Sequence, residues 1–201
     1  MPPVLNEVED RRMSDVRDAL ASDLDAAFER LVLAYQDRLY SFALRMTGNR
    51  QDAEEVTQDA LVRAYRALER YEPERIRSLA LRPWLYRITV NLSRNRARGR
   101  RRPAVSLDEL GASSDFEPGS TRDSGPEVFA RGEQHAQIGA ALAGLPRRYR
   151  AAVILRHVEG LTYREIAAAL GQPAGTVKAN VHRGVILLRQ TLSTVGSEVQ
   201  S

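Results

Sequence analysis

LTYREIAAALGQPAGTVKANVHRG, from Leu161 to Gly184, decides how the rest of the chain is read. Thr162 and Glu165 stand three apart ahead of an apolar run. That is the spacing of a capping box, in which the hydroxyl meets a backbone donor three residues on and the carboxylate reaches back. Ile166 and Leu170 face a core, and Ala167 is small enough for the next helix to cross closely. Gly171 can take the positive φ that ends a first helix. A second helix is expected from Thr176 to Leu188, with Val177, Val181, Val185 and Leu188 inward and Lys178, Ala179, His182 and Arg183 on or near its exposed face. Two short helices, a glycine turn and a basic second helix form a helix-turn-helix, which lays that helix in the DNA major groove. An ordinary helical hairpin with a solvated basic face is the alternative, but cap, turn, small residue and spacing all coincide here.

Moving toward the N-terminus, PWLYRITVNLSRNRARGRRR spans Pro83 to Arg102 within a helix expected from about Pro83 to about Arg101. At 100° per residue Leu85, Ile88 and Leu92 share one face, and Arg87, Asn91, Arg94 and Arg98 share another about 120° away. Eight arginines and no acid lie between Arg82 and Arg102, a density suited to phosphate contact and salt-sensitive binding. Trp84, Tyr86 and Tyr71 lie beside this face, where exposed bases could stack. Taken individually, Trp84 fits the core better than a stacking platform.

DAEEVTQDALVRAYRAL, from Asp52 to Leu68, has the opposite sign at its start. Asp52, Glu54, Glu55 and Asp59 fall in the first two turns of a helix expected to run to about Tyr71. Acids there complement the helix dipole; equally, an acidic patch on a DNA-binding chain repels phosphate and suits a basic or polar protein partner. Before it, Phe28, Leu31, Val32, Tyr35, Leu39, Phe42 and Met46 recur at helical spacing up to Gly48. The segment Pro103 to Pro126 breaks this pattern with three prolines, three glycines and five serines, and reads as a flexible acidic linker. Further helical segments are expected from Glu127 to Ala143 and from Pro146 to His157. Nothing alternates as a half-buried strand would, so the expected fold is all-α: two small helical domains, the C-terminal one a helix-turn-helix. The expected division is 1–24, an N-terminal extension; 25–102; the linker 103–126; and 127–201.

The composition narrows function. The chain has 201 residues, no cysteine, three dispersed histidines (His135, His157 and His182), and a net charge of +4. Disulfides, thiolate zinc sites and cysteine nucleophiles are excluded. No nucleophile–base pair, phosphate loop or metal set is present, so no catalytic residue, metal ligand or cofactor is expected. The start of the chain lacks the apolar stretch of a signal peptide and no window approaches a membrane span, so a cytoplasmic protein without membrane insertion is expected. The small net charge is a cancellation. Arg82 to Arg102 carries +8, Pro103 to Glu127 carries −5 (six acids, one arginine), and Ala140 to Gln190 carries +6 (seven arginines and Lys178 against Glu159 and Glu165).

From Asp25 to Leu192, the linker excepted, the order and spacing of these motifs resemble a bacterial RNA polymerase sigma factor of the sigma-70 family, extracytoplasmic-function (group four) type. The resemblance implies that the surface around Asp52, Glu55, Gln58 and Asp59 docks on the β′ coiled coil of core RNA polymerase. It also implies that the helix carrying Trp84, Arg87, Asn91, Arg94 and Arg98, with the loop from Tyr71 to Arg82, opens and reads the minus-ten element of promoter DNA. By the same resemblance Thr176, Lys178, His182 and Arg183 read the minus-thirty-five element, and an anti-sigma factor is a further partner common in the family. The first 24 residues match no family segment; a disordered arm and an extra helix from Ser14 to Ala21 both fit them. A response-regulator-like activator, the main rival, would need alternating strands and a phosphorylatable aspartate after one, and neither appears.

Overall fold

The computed structural model describes residues 3–99 and 137–198, with side chains placed over 13–96 and 137–193. The expected linker, 103–126, and the start of the helix expected at Glu127 lie outside the described residues. Those described are all-α, with no strand among them. No helix in them is long and apolar enough to cross a membrane.

The N-terminal residues form a helix, longer than the segment from Ser14 to Ala21. Helix α1 runs Pro3–Ser22 and buries Val16, Leu20 and Ala21. It packs on α2 (Leu24–Thr47) and α4 (Pro73–Ser78), and the Tyr35 hydroxyl donates to Met13 Sδ at 2.8 Å. Asp23 caps α2, its carboxylate accepting from the Ala26 N–H at 3.0 Å. Gly48, at φ +70°, closes α2 in the left-handed conformation, its N–H bonded to the Leu44 carbonyl. Asn49 then caps α3 (Arg50–Leu68), which buries Ala53, Val56, Ala60, Ala64 and Leu68 as its periodicity requires. Helix α4 interrupts a stretch read as loop. Pro73 starts it, and Ile76 is its one buried side chain, too little for a periodic signal.

Helix α5 spans Leu81–Gly99, with Pro83 in its first turn, where a missing N–H costs nothing. Leu85 and Leu92 are buried and Ile88 half-buried, as the first face requires. A second buried arc holds Arg82, Tyr86, Thr89, Val90 and Ser93. The Thr89 and Ser93 hydroxyls return to carbonyls one turn back, those of Leu85 at 3.0 Å and Thr89 at 2.8 Å, so each buried oxygen has a partner. One arc packs on α2 and α3, and α8 lies along the other side of α5.

The C-terminal half begins with α6 (137–144) and α7 (Arg147–Val153), which runs on into a π-helical turn, Ile154–Val158. The Glu159 N–H reaches back five residues to the Ile154 carbonyl at 3.0 Å. The helix-turn-helix follows as α8 (Tyr163–Leu170) and α9 (Ala174–Glu198). Both halves of the Thr162–Glu165 capping box are made, and Gly171 takes φ +63°. One apolar cluster joins Leu20 of α1, Leu85 and Tyr86 of α5, and Ile154, Leu161 and Ile166 of the C-terminal half.

Helices α7 and α9 approach closely at Gly184, where a Cβ would lie 2.5 Å from Val153 Cγ2 and 3.3 Å from Tyr149 Cβ. Overpacking costs about 1–3 kcal/mol, while replacing a mid-helix glycine with alanine gains up to about 1 kcal/mol. Gly184→Ala should therefore come near break-even. Gly184→Leu should lower the unfolding free energy by about 2 kcal/mol or more, read from the midpoint of urea unfolding followed by helical circular dichroism.

Candidate nucleic-acid interface

On α9, Thr176, Lys178, His182 and Arg183 are all exposed, above the buried Val177 and Val181. Asn180 is buried between them and donates to Gln172 Oε1 at 3.2 Å, which fixes the turn against the helix. Tyr149 lies at the foot of this face, on α7. Arg148 Nη2 donates to its hydroxyl at 2.9 Å, with Arg183 as a second hydrogen-bonding partner. These two bonds hold the phenol below its usual range. The Arg148 guanidinium also lies 4.6 Å from the Tyr149 ring centre. Two cations converging on one oxygen leave a local potential that suits a phosphate. Sequence reading missed Arg148 because what sets it beside the exposed face of α9 is the contact between its neighbour Tyr149 and Arg183, which crosses from α7 to α9.

The basic face of α5 stands clear of both its packed arcs. Arg87 and Asn91 are exposed and Arg94 is half-buried; Arg98 lies on the last turns of the same helix. Trp84 is half-buried, its ring centre 6.3 Å from that of Tyr71 and tilted by 53°. Arg75 of α4 covers the Tyr71 ring at 3.8 Å, giving a layer of cation and aromatic faces beside the helix. Tyr86 has no part in it and is withdrawn as a stacking platform. It is fully buried, edge-on to Phe42 at 5.4 Å, with its hydroxyl bonded to Glu159. Burial, then the facing Glu159 carboxylate, pushes its phenol well above the ordinary range.

The acids of α3 divide. Asp52 is buried and accepts from Arg96 Nε of α5 at 3.0 Å, and Arg96 also pairs with half-buried Glu55. The bond to Asp52, then that to Glu55, raises the Arg96 guanidinium above its ordinary value. Gln58 and Asp59 are exposed. A groove of about 620 Å³ runs between α3 and α5, bordered by Asp59 and Arg63 on one side and Asn95 and Arg96 on the other. Asp52 thus ties α3 to α5, and the free acidic surface is carried by its neighbours.

Residues 31–103 match the family Sigma-70 region 2, and residues 135–188 match Sigma-70, region 4. The ECF RNA polymerase sigma factor SigE of Mycolicibacterium smegmatis is 37% identical over 173 residues, covering 86% of this chain and 64% of SigE. The ECF RNA polymerase sigma-E factor of Escherichia coli K12 is 36% identical over 161 residues, covering 78% of this chain and 82% of that protein. Among solved structures, the sigma factor RpoE of Bartonella quintana, crystallised with the anti-sigma factor NepR, superimposes with a TM-score of 0.62 at 26% identity, covering 83% of this chain and 96% of RpoE. The class is therefore a transcription initiation factor with the two regions that serve minus-ten and minus-thirty-five recognition. The chain belongs to the sigma-70 family, as an extracytoplasmic-function RNA polymerase sigma factor.

Because Arg96 is the cation facing buried Asp52, Arg96→Gln should cost about 1–2 kcal/mol, the range of a charge-assisted hydrogen bond after discounting the exposed part of Arg96. Asp52→Asn in the same background should recover part of the loss. A double-mutant cycle in urea unfolding checks both, and additive single effects would show that the pair contributes nothing.

Proposed function

We propose that this chain binds core RNA polymerase through the exposed acids of α3 and carries two basic readers to a promoter. The observation supporting this most directly is a segregation of charge: exposed cationic faces on α5 and α9, and exposed acids, Glu54 and Asp59, on the first turns of α3. Gln58 and Asp59, with Glu55 at their edge, form the polymerase contact, while Asp52 positions the helix from beneath. Arg87, Asn91, Arg94 and Arg98, with Trp84, hold the exposed strand of the minus-ten element. Thr176, Lys178, His182 and Arg183 read the minus-thirty-five duplex, and Arg148 extends their phosphate contact. The division 1–24, 25–102, 103–126 and 127–201 describes the working parts, with α1 acting as a brace on α2 and α4. The protein acts in the cytoplasm without a catalytic step of its own, and its further partner is an anti-sigma factor, as RpoE has in its complex with NepR.

Binding chemistry alone performs this function. A ligand that prefers melted DNA shifts the duplex toward melting by its differential affinity for the two states. Phosphate contacts from the arginines supply affinity and fix the register, and base-edge contacts from α9 supply discrimination of about 1–3 kcal/mol for each good pair.

Run-off transcription with purified core polymerase tests the reading, since a sigma factor starts promoter-specific transcripts without another specificity subunit. Asp59→Lys should weaken association with core polymerase at least tenfold and leave binding to isolated minus-thirty-five duplex unchanged. Undiminished co-purification with core would place the docking surface elsewhere. Arg183→Ala should weaken that duplex and lower the slope of log affinity against log salt by about 1, as expected for one lost phosphate contact.

A further inference from the structure

Tyr149 is 7% exposed, a core residue of α7, yet its hydroxyl is bonded to Arg183 on the exposed face of α9. Gly184 makes this possible. With no side chain there, α9 lies against the backbone of Tyr149, whose carbonyl oxygen would stand 3.5 Å from a Cβ. Arg183, the residue before that contact, is thereby brought to the phenol oxygen, and Arg148 donates to the same oxygen at 2.9 Å. Both arginines are exposed, and neither pairs with a carboxylate among the described residues. Two guanidinium groups so close repel one another, and without a common partner each would swing into solvent. The shared oxygen offsets that repulsion and holds both cations at one place.

A guanidinium only donates, and a phenol whose oxygen already accepts from two of them has only its own proton left to offer. The cluster therefore presents donors alone, the complement of a phosphodiester, whose oxygens only accept. Its place along α9 points the same way. Residues at the start of a recognition helix meet base edges. Arg183 lies two turns beyond Thr176, about 10 Å along the helix at about 1.5 Å per residue. The major groove is about 12 Å wide, so when the first turn of α9 sits over the bases Arg183 falls near the wall of the groove, where the phosphates run. Arg148, carried by a different helix, adds its charge at that wall and not over the bases.

We propose that Tyr149 is a positioning residue for DNA binding, its hydroxyl setting Arg148 and Arg183 as a two-armed clamp on one backbone phosphate beside the minus-thirty-five element. The proposal rests on the reading of α9 as a duplex-binding helix. Tyr149→Phe keeps the ring and both charges and removes only the shared oxygen. Fluorescence anisotropy of the full chain with two short duplexes, one selected by the native chain from a randomised pool and one of unrelated sequence, measures affinity and discrimination together. Tyr149→Phe should weaken both by a similar factor, about threefold or more, as expected for one lost hydrogen bond, so that the ratio between them stays unchanged. Arg148→Gln should do the same and also lower the slope of log affinity against log salt by about 1, whereas Arg148→Lys should keep the slope. Neutral methylphosphonates placed one at a time along the selected duplex locate the phosphate. At one position the native chain should lose affinity and Tyr149→Phe should lose no more. A tyrosine that served only to pack α7 would not give that match, since its loss would add to every backbone substitution alike. Circular dichroism checks the folding of each variant, and Arg148→Gln, at an exposed position, carries the methylphosphonate test if Tyr149→Phe fails to fold. Tyr149→Phe binding as tight as native, or a loss that no single phosphate accounts for, would overturn the clamp. A native chain that binds neither duplex would instead overturn the reading of α9 as a DNA-binding helix.

Discussion

Everything in this molecule depends on how the circumference of α5 is shared. The helix must pack on α2 and α3, receive α8, and leave a third face to nucleic acid. Leu85, Ile88 and Leu92 cover one arc, and Arg82, Tyr86, Thr89, Val90 and Ser93 cover the next. What remains is the arc holding Arg87, Asn91 and Arg94, which is why the cationic side is a narrow stripe. The two buried hydroxyls are affordable because each returns its bond to the preceding turn. A longer polar side chain at Thr89 would need a partner that the packed arc does not offer.

Charge obeys the same division. Of the eight arginines between Arg82 and Arg102, Arg82 is committed to the Glu159 carbonyl and Arg96 to Asp52 and Glu55. The useful potential therefore comes from fewer cations than the sequence holds, and the useful acidity of α3 from fewer acids. A count of charges measures neither surface; their partners decide which charges meet solvent.

Local chemistry was legible in the sequence and distant pairing was not. The capping box at Thr162 and Glu165, the helix-ending glycines at 48 and 171, and the apolar faces of α2, α3 and α9 each depend on residues within about one turn, so spacing alone reveals them. The exposed positions of Lys178, His182 and Arg183 follow from the same spacing. Tyr86 was misread because periodicity gives the angle of a side chain and says nothing of what packs there; its hydroxyl partner lies 73 residues on. Asp52 was read as surface for the same reason, since its partner Arg96 is 44 residues away. Helix α4 escaped notice because six residues with one anchor carry no period. The family resemblance supplied the division of labour, which none of these local signals contains.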